Sequence, residues 1–144
     1  MRQEDKELLL KDLAARLPYG VKILNNGWDF DRDCEFSTVE TLIGIDDRFI
    51  YTLWRDEKDK HSIGEPLSIL DYKPYLRPLS SMTEEERIES LEFAWEDDYG
   101  RLASYNENIP KYIDWLNAHH FDHRNLIERG LAIAVTEEND PYKE

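Results

Sequence analysis

Three of the four histidines stand close together in DWLNAHHFDHRNLIERG, residues 114–130. His119 and His123 are four residues apart, a spacing that places two zinc ligands on one face of a continuous helix. The glutamate that serves as the base in the H-E-x-x-H pattern is replaced by His120. Asp122 also interrupts the helix, because its carboxylate suits the N-cap of a following helix, HRNLIER, which is predicted to end in a Schellman cap at Gly130. We interpret the stretch as a helix corner, and a metal site at His119 and His123 is the alternative.

Other residues that could do chemistry give less specific patterns. Cys34 lies between Asp33 and Glu35, whose charges disfavour a reactive thiolate. There is no G-x-S-x-G elbow, phosphate-binding glycine loop or dinucleotide fingerprint. Arg124 and Arg129 are too few bases for a helix-turn-helix DNA reader. The sequence therefore predicts a protein that is not an enzyme and has no cofactor; a small metalloenzyme or hydrolase is the third hypothesis.

The composition is that of a strongly acidic domain. Its 144 residues include 32 acids and 18 bases, a net charge of -14. Such a charge repels nucleic acid and anionic membranes and favours a basic protein partner. No apolar run reaches the ~20 residues of a membrane span, and one cysteine fits a reducing compartment. We expect a cytoplasmic protein with a protein partner, no direct nucleic-acid binding and no membrane.

The most unusual segment is EEERIESLEFAWEDDYG, which is predicted to be a helix that begins with a capping box at Thr83 and Glu86. Eight acids and one base between residues 84 and 98 give this segment a net charge of -7. Its apolar face is predicted to contain Ile88, Leu91, Trp95 and Tyr99. Carboxylates at i, i+4, i+7 and i+11 beside that face form an acidic stripe: Glu85, Glu89, Glu92 and Glu96.

The acidic stripe is the predicted partner-binding surface. Four charges over roughly 16 Å of helix are sparser than the one charge per ~1.7 Å of duplex DNA. This stripe alone is too sparse to imitate duplex DNA, and we therefore predict a non-enzymatic protein-interaction protein. An acidic inhibitor of a host defence nuclease or other DNA-binding protein, acting as a DNA mimic, is the alternative.

The apolar spacing predicts a single α+β domain over residues 1–144, whose first helix has an apolar stripe of leucines at positions 9, 13 and 17, widened by Leu10 and Ala14. It consists of an N-terminal helix, a small antiparallel sheet or partly open barrel, C-terminal helices packed on it and a flexible acidic tail (1–20, 21–79, 80–135 and 136–144). Asn26-Gly27 and Asp46-Asp47 predict hairpin turns, and residues 55–66 predict a loop. Three aromatic residues of the β region form the alternative partner-binding surface: Trp28, Phe30 and Trp54.

Three stretches together resemble a known group of proteins: LLLKDLAARLPYGVK, YKPYLRPLSSMTEEE and IDWLNAHHFDHRNLIERGLAIAVTEENDPYK. The chain resembles a family of small uncharacterised acidic proteins encoded by gut Bacteroides genomes, their phages and mobile elements. The resemblance covers about half of the chain and implies an accessory or regulatory role in a phage or mobile element. The family brings no catalytic residue or cofactor, and its members tend to have Tyr at the position of His123, which disfavours a shared zinc site.

Overall fold

The computed structural model describes residues 3–29, 31–46, 50–54, 61–63, 72–93, 95–96, 102–103 and 108–143. The helices are α1 (Gln3–Arg16), α2 (Glu84–Ser90) and α3 (Ile109–Ala118). The strands are β1 (Lys22–Asp29), β2 (Cys34–Ile45), β3 (Ile50–Trp54), β4 (His61–Ile63), β5 (Tyr72–Leu76), β6 (Trp95–Glu96), β7 (Leu102–Ala103) and β8 (Ile133–Ala134). The predicted α+β class is confirmed.

The main sheet of the described residues has six strands in the order β4-β3-β2-β1-β5-β8. Neighbouring strands are antiparallel, apart from the parallel pair β5 and β8. One face of the sheet carries the apolar core, which also includes Leu9 and Leu13 of α1 and Leu126 after α3. A second cluster is formed by Trp115, Leu116 and Phe121. None of the described helices is long and apolar enough to span a membrane.

Helix α1 buries a narrower stripe than the leucine spacing predicts. Leu9 and Leu13 are buried, as expected, but Leu10 is exposed. The remaining buried positions are those of Asp12 and Arg16, which complete the i, i+3, i+4, i+7 pattern of a helix face that packs on a core. Two charged side chains therefore lie where apolar ones are usual.

The predicted turn at Asn26-Gly27 is wrong. Both residues lie within β1 and pair with β2, and the ladder continues to Asp29 opposite Cys34. The chain reverses later, at a turn where Asp33 has a φ of 52°. The additional ladder pairs outweigh the local turn preference of Asn-Gly. The strand pairing of the second predicted hairpin is confirmed, since Ile45 pairs with Ile50, but Asp47 of its predicted turn lies outside the described residues. Of the predicted loop at residues 55–66, residues 61–63 form strand β4 and the others lie outside the described residues.

The predicted long acidic helix is also wrong in its length. Helix α2 begins at the predicted capping box but ends at Ser90. Tight i to i−3 backbone bonds follow, in which the amides of Leu91, Glu92 and Phe93 donate. Phe93 packs against the second core cluster, and acidic residues are unfavourable at the negative end of a helix dipole. Glu92 therefore lies beyond the helix, and Glu96 belongs to β6.

The stretch HRNLIER forms a turn rather than the predicted short helix. Asn125 has a φ of 59°, which prevents regular helix. The Asp122 carboxylate nevertheless accepts backbone N–H groups, as predicted for a cap, from Leu126 and Ile127 at 3.0 and 3.1 Å. The predicted Schellman cap at Gly130 is confirmed by its φ of 75° and by the bond from Leu131 N–H to the Leu126 carbonyl.

Candidate functional site

The histidine corner at the end of α3 is held by Arg77, which follows β5. The Arg77 backbone N–H donates to the His120 carbonyl at 2.7 Å, and its carbonyl accepts from the Asp122 N–H at 2.8 Å. The Arg77 guanidinium lies over the Phe121 ring, 4.2 Å from the centroid, a favourable cation–π contact. The predicted break in the helix before Asp122 is confirmed, since α3 ends at Ala118 and His120 has a φ of 63°.

A buried ion pair within α1 also contacts the corner. Arg16 Nε lies 2.7 Å from Asp12 Oδ2, and both side chains are fully buried. Arg16 Nη2 also donates to the carbonyl of Phe121 at 2.6 Å. Arg124 lies 3.6 Å from the other Asp12 oxygen. This network ties α1 to the corner and fixes Phe121 in the core.

The three clustered histidines have different partners. Nε2 of His123 lies 2.8 Å from Oδ1 of Asn117. His120 stacks on Tyr142, with 3.7 Å between ring centroids. His119 stacks on Trp115 at 4.3 Å. Within the described part of the chain, no three histidine, cysteine, aspartate or glutamate side chains are grouped to hold a metal ion.

Two of these histidines are kept neutral by their surroundings. Burial, with further contributions from Arg16, Arg77 and His119, lowers the pKa of His120 to about 4. Burial and the charge of Arg16 also lower the pKa of His123. Both rings are therefore uncharged at neutral pH, where they serve as packing and hydrogen-bonding groups.

Two carboxylates of α2, those of Glu86 and Glu89, are hydrogen-bonded to residues of this corner. Glu86 accepts two hydrogen bonds from the Arg77 guanidinium, at 2.7 and 2.6 Å. The hydrogen bond to Arg77 is the main cause that lowers the pKa of Glu86 to about 2. Glu89 accepts a hydrogen bond from the Trp115 indole N–H at 3.1 Å. The His119 ring lies between these two carboxylates, 3.5 Å from Glu86 and 3.8 Å from Glu89.

The outward side of α2 and its C-terminal turn present apolar and acidic groups together. Ile88 is 60% exposed and Leu91 is 48% exposed, although the sequence predicts that both are buried. Three carboxylates around them are exposed. We call this set the α2 surface: Glu84, Glu85, Ile88, Leu91 and Glu92.

The predicted acidic stripe is therefore only partly present. Glu85, Glu89 and Glu92 are all exposed, and Glu89 also accepts a hydrogen bond from the Trp115 indole N–H. Glu96 is part of β6, and its side chain lies outside the described structure, so the four carboxylates do not share one helix face.

For the alternative surface, the backbones of Trp28 and Trp54 lie in β1 and β3. Their side chains, and all of Phe30, lie outside the described residues.

Four residues of the site were not identified from the sequence. Asp12 and Arg16 carried a signal, because an acid and a base at i and i+4 form helix ion pairs and here they occupy the core face. Arg77 and Tyr142 carried none, since their contacts join segments that are distant in sequence. Comparison with protein-family models, with curated proteins and with solved structures gave no match.

Proposed function

We propose that this chain is a non-enzymatic interaction protein that binds a basic partner protein through the α2 surface. The exposure of Ile88 and Leu91 among carboxylates, on a helix fixed to the body by Glu86 and Glu89, carries the proposal. A fixed helix loses little conformational freedom when a partner docks. The partner that fits has apolar side chains at the centre of its interface and bases around them.

The two parts of the α2 surface have different roles in this proposal. Ile88 and Leu91 supply affinity, because full burial of such a side chain stabilises by about 1.5–3 kcal/mol. Glu84, Glu85 and Glu92 supply specificity and speed of association with a basic surface. Together with the mobile-element setting implied by the family resemblance, this describes an accessory protein that captures a host or phage protein.

The inhibitor hypothesis is a special case in which the partner is a nuclease or another DNA-binding protein. Helix α2 has seven residues, about 10 Å at 1.5 Å per residue, so its few charges do not reproduce the charge density of a duplex. The α2 surface supports docking on a basic patch that surrounds an apolar pocket, rather than imitation of DNA.

The test is affinity capture from host lysate with matched variants, followed by binding measurements on the purified partner. One variant reverses the charge of Glu84, Glu85 and Glu92 to Lys, and a second changes Ile88 and Leu91 to Ser. Their controls are charge reversal at the exposed Glu4, Glu7 and Glu128 and a change of the exposed Leu10 to Ser.

We expect one protein that the wild type and both controls retain and both α2 variants lose. Its affinity for the wild type should fall as salt rises, and the Ser variant should bind weakly at every salt concentration. A partner retained by both α2 variants, or no protein whose capture depends on the α2 surface, would overturn the proposal.

A further inference from the structure

Residues 140–143, which the sequence predicts to be part of a flexible tail, return to the body of the protein. Pro141 is buried, whereas residues 136–139 are exposed. The Tyr142 hydroxyl accepts a hydrogen bond from the Lys22 backbone N–H at 3.0 Å and donates one to the Tyr75 carbonyl at 2.6 Å. We call residues 140–143 the strap, because Tyr142 joins the start of β1 to β5.

The strap also forms one wall of a cavity that is open to solvent. The Tyr142 ring stacks on the ring of His120 with an interplanar angle of 11°, and the Asp140 carboxylate accepts the Tyr142 N–H at 2.9 Å. The cavity has a volume of about 290 Å³. Its walls are formed by the strap and by the end of α3 with Arg77: Arg77, Ala118, His119, His120, Asp140, Tyr142 and Lys143.

His120 lies under the strap in surroundings that disfavour a positive charge. Its Nδ1 is buried and has no hydrogen-bond partner among the described residues. The charged and titratable groups that act on it come from α1, from the end of β5, from the end of α3 and from the strap. They are Arg16, Arg77, His119 and Asp140, of which Asp140 alone favours the charged imidazole.

We propose that the strap is released by acid, because a proton taken up by His120 favours the open strap, whose release removes one wall of the cavity. A protonated ring that lies buried near two guanidinium groups loses hydration and is repelled by them. When the strap opens, water reaches the ring and the charged form is stabilised. The strap is a proton-sensitive cover of the corner, independent of the partner proposed for the α2 surface.

The direction and size of the effect follow from proton linkage. With the strap closed, burial and the charges of Arg16, Arg77 and His119 lower the pKa of His120 from an ordinary 6.5 to about 4. Closure is therefore fully favoured above pH 6.5 and is weakened progressively as the pH falls from 6.5 towards 4. If the open-strap ring has the ordinary pKa, the ratio of open to closed strap rises about 20-fold between pH 7 and pH 5.

Amide hydrogen exchange measured by NMR, corrected for intrinsic rates, tests this directly. The Lys22 N–H reports strap opening because the Tyr142 hydroxyl is its partner. The Leu42 N–H, bonded to the Val21 carbonyl, reports opening of the sheet. We expect opening at Lys22 to increase by up to about 20-fold from pH 7 to pH 5, with a much smaller change at Leu42. Equal increases at both amides would indicate global unfolding and overturn the proposal.

Variants at His120 and His123 test whether the pH response of the strap arises from His120 or from a general loss of stability in acid. His120→Phe keeps a ring to stack on Tyr142 but cannot be protonated, so opening at Lys22 should become independent of pH. His120→Asn, which tolerates the positive φ better, should remove the pH dependence as well. The control is His123→Gln, which removes another buried histidine and should leave the Lys22 response unchanged. A full response in either His120 variant, or its loss in the control, would refute the assignment to His120.

Discussion

Arg16 and Asp12 form a fully buried ion pair within one helix, with 2.7 Å between Arg16 Nε and Asp12 Oδ2. The same guanidinium donates to the carbonyl of Phe121, 105 residues away. A pair that sits one helical turn apart thereby connects α1 to the histidine corner. Phe121 is fully buried, so the pair supports a core residue as well as a helix.

Removal of one partner should be costly because it leaves an uncompensated charge in the core. We expect Asp12→Leu and Arg16→Met each to lower the free energy of unfolding by about 3–5 kcal/mol. The double variant Asp12→Leu/Arg16→Met should lose clearly less than the sum of the two, since it leaves neither partner of the pair as an uncompensated charge in the core. Urea unfolding of the four proteins measures this coupling. Additive losses would show that the two side chains act independently.

The ion pair of Glu86 with Arg77 should make stability depend on pH in the acid range. The folded protein lowers the pKa of Glu86 from 4.5 to about 2, so the stabilisation is complete above pH 4.5 and is lost as the pH falls towards 2. Glu86→Gln removes this contribution. The difference in unfolding free energy between wild type and variant, measured by urea unfolding at several pH values, should therefore shrink from pH 5 to pH 2.5. A constant difference would contradict the assigned cause.

Gly130 ends the turn after Asn125 with a left-handed backbone, and no atom lies within 4 Å of a Cβ placed there. The left-handed backbone conformation is therefore the only source of an energetic cost for a side chain at this position. Gly130→Ala should thus lower the free energy of unfolding by about 1–2 kcal/mol, and Gly130→Asn by less, because Asn adopts this conformation more readily. Thermal unfolding compares the two. Equal losses for Ala and Asn would point to a steric cause instead.

The Tyr142 hydroxyl satisfies two backbone groups, the Lys22 N–H and the Tyr75 carbonyl. Tyr142→Phe leaves both without this partner while keeping the ring on His120. We expect a loss of about 1–3 kcal/mol in the free energy of unfolding. The control is Tyr112→Phe, which removes a hydroxyl that makes no hydrogen bond to the described residues and should change stability by less. If Tyr142→Phe and Tyr112→Phe lower the free energy of unfolding equally, the hydrogen bonds of the Tyr142 hydroxyl make no specific contribution to stability.

The sequence by itself determined the features that depend on a few neighbouring residues. The capping box at Thr83, the left-handed cap at Gly130 and the break after His120 all lie where the local pattern predicts them. In each case one side chain or one backbone conformation satisfies groups within five residues of it. The hairpin of β2 with β3 belongs to the same class.

Only the tertiary structure decided which of these local preferences prevailed. Asn26-Gly27 favours a turn, but the longer ladder with β2 holds it in a strand. The packing of Phe93 on the second core cluster accompanies the early end of α2, and so the predicted acidic stripe is divided. Both outcomes depend on contacts whose combined free energy exceeds that of a local propensity.

The residues that form the candidate sites were placed almost entirely by such distant contacts. Arg77 reaches Glu86 and Phe121, and Tyr142 reaches Lys22 and Tyr75, across as many as 120 residues. A charged or aromatic residue carries no local sign of a partner so far along the chain. The sequence determined the caps and the composition, and the packing of the corner determined what those residues contact.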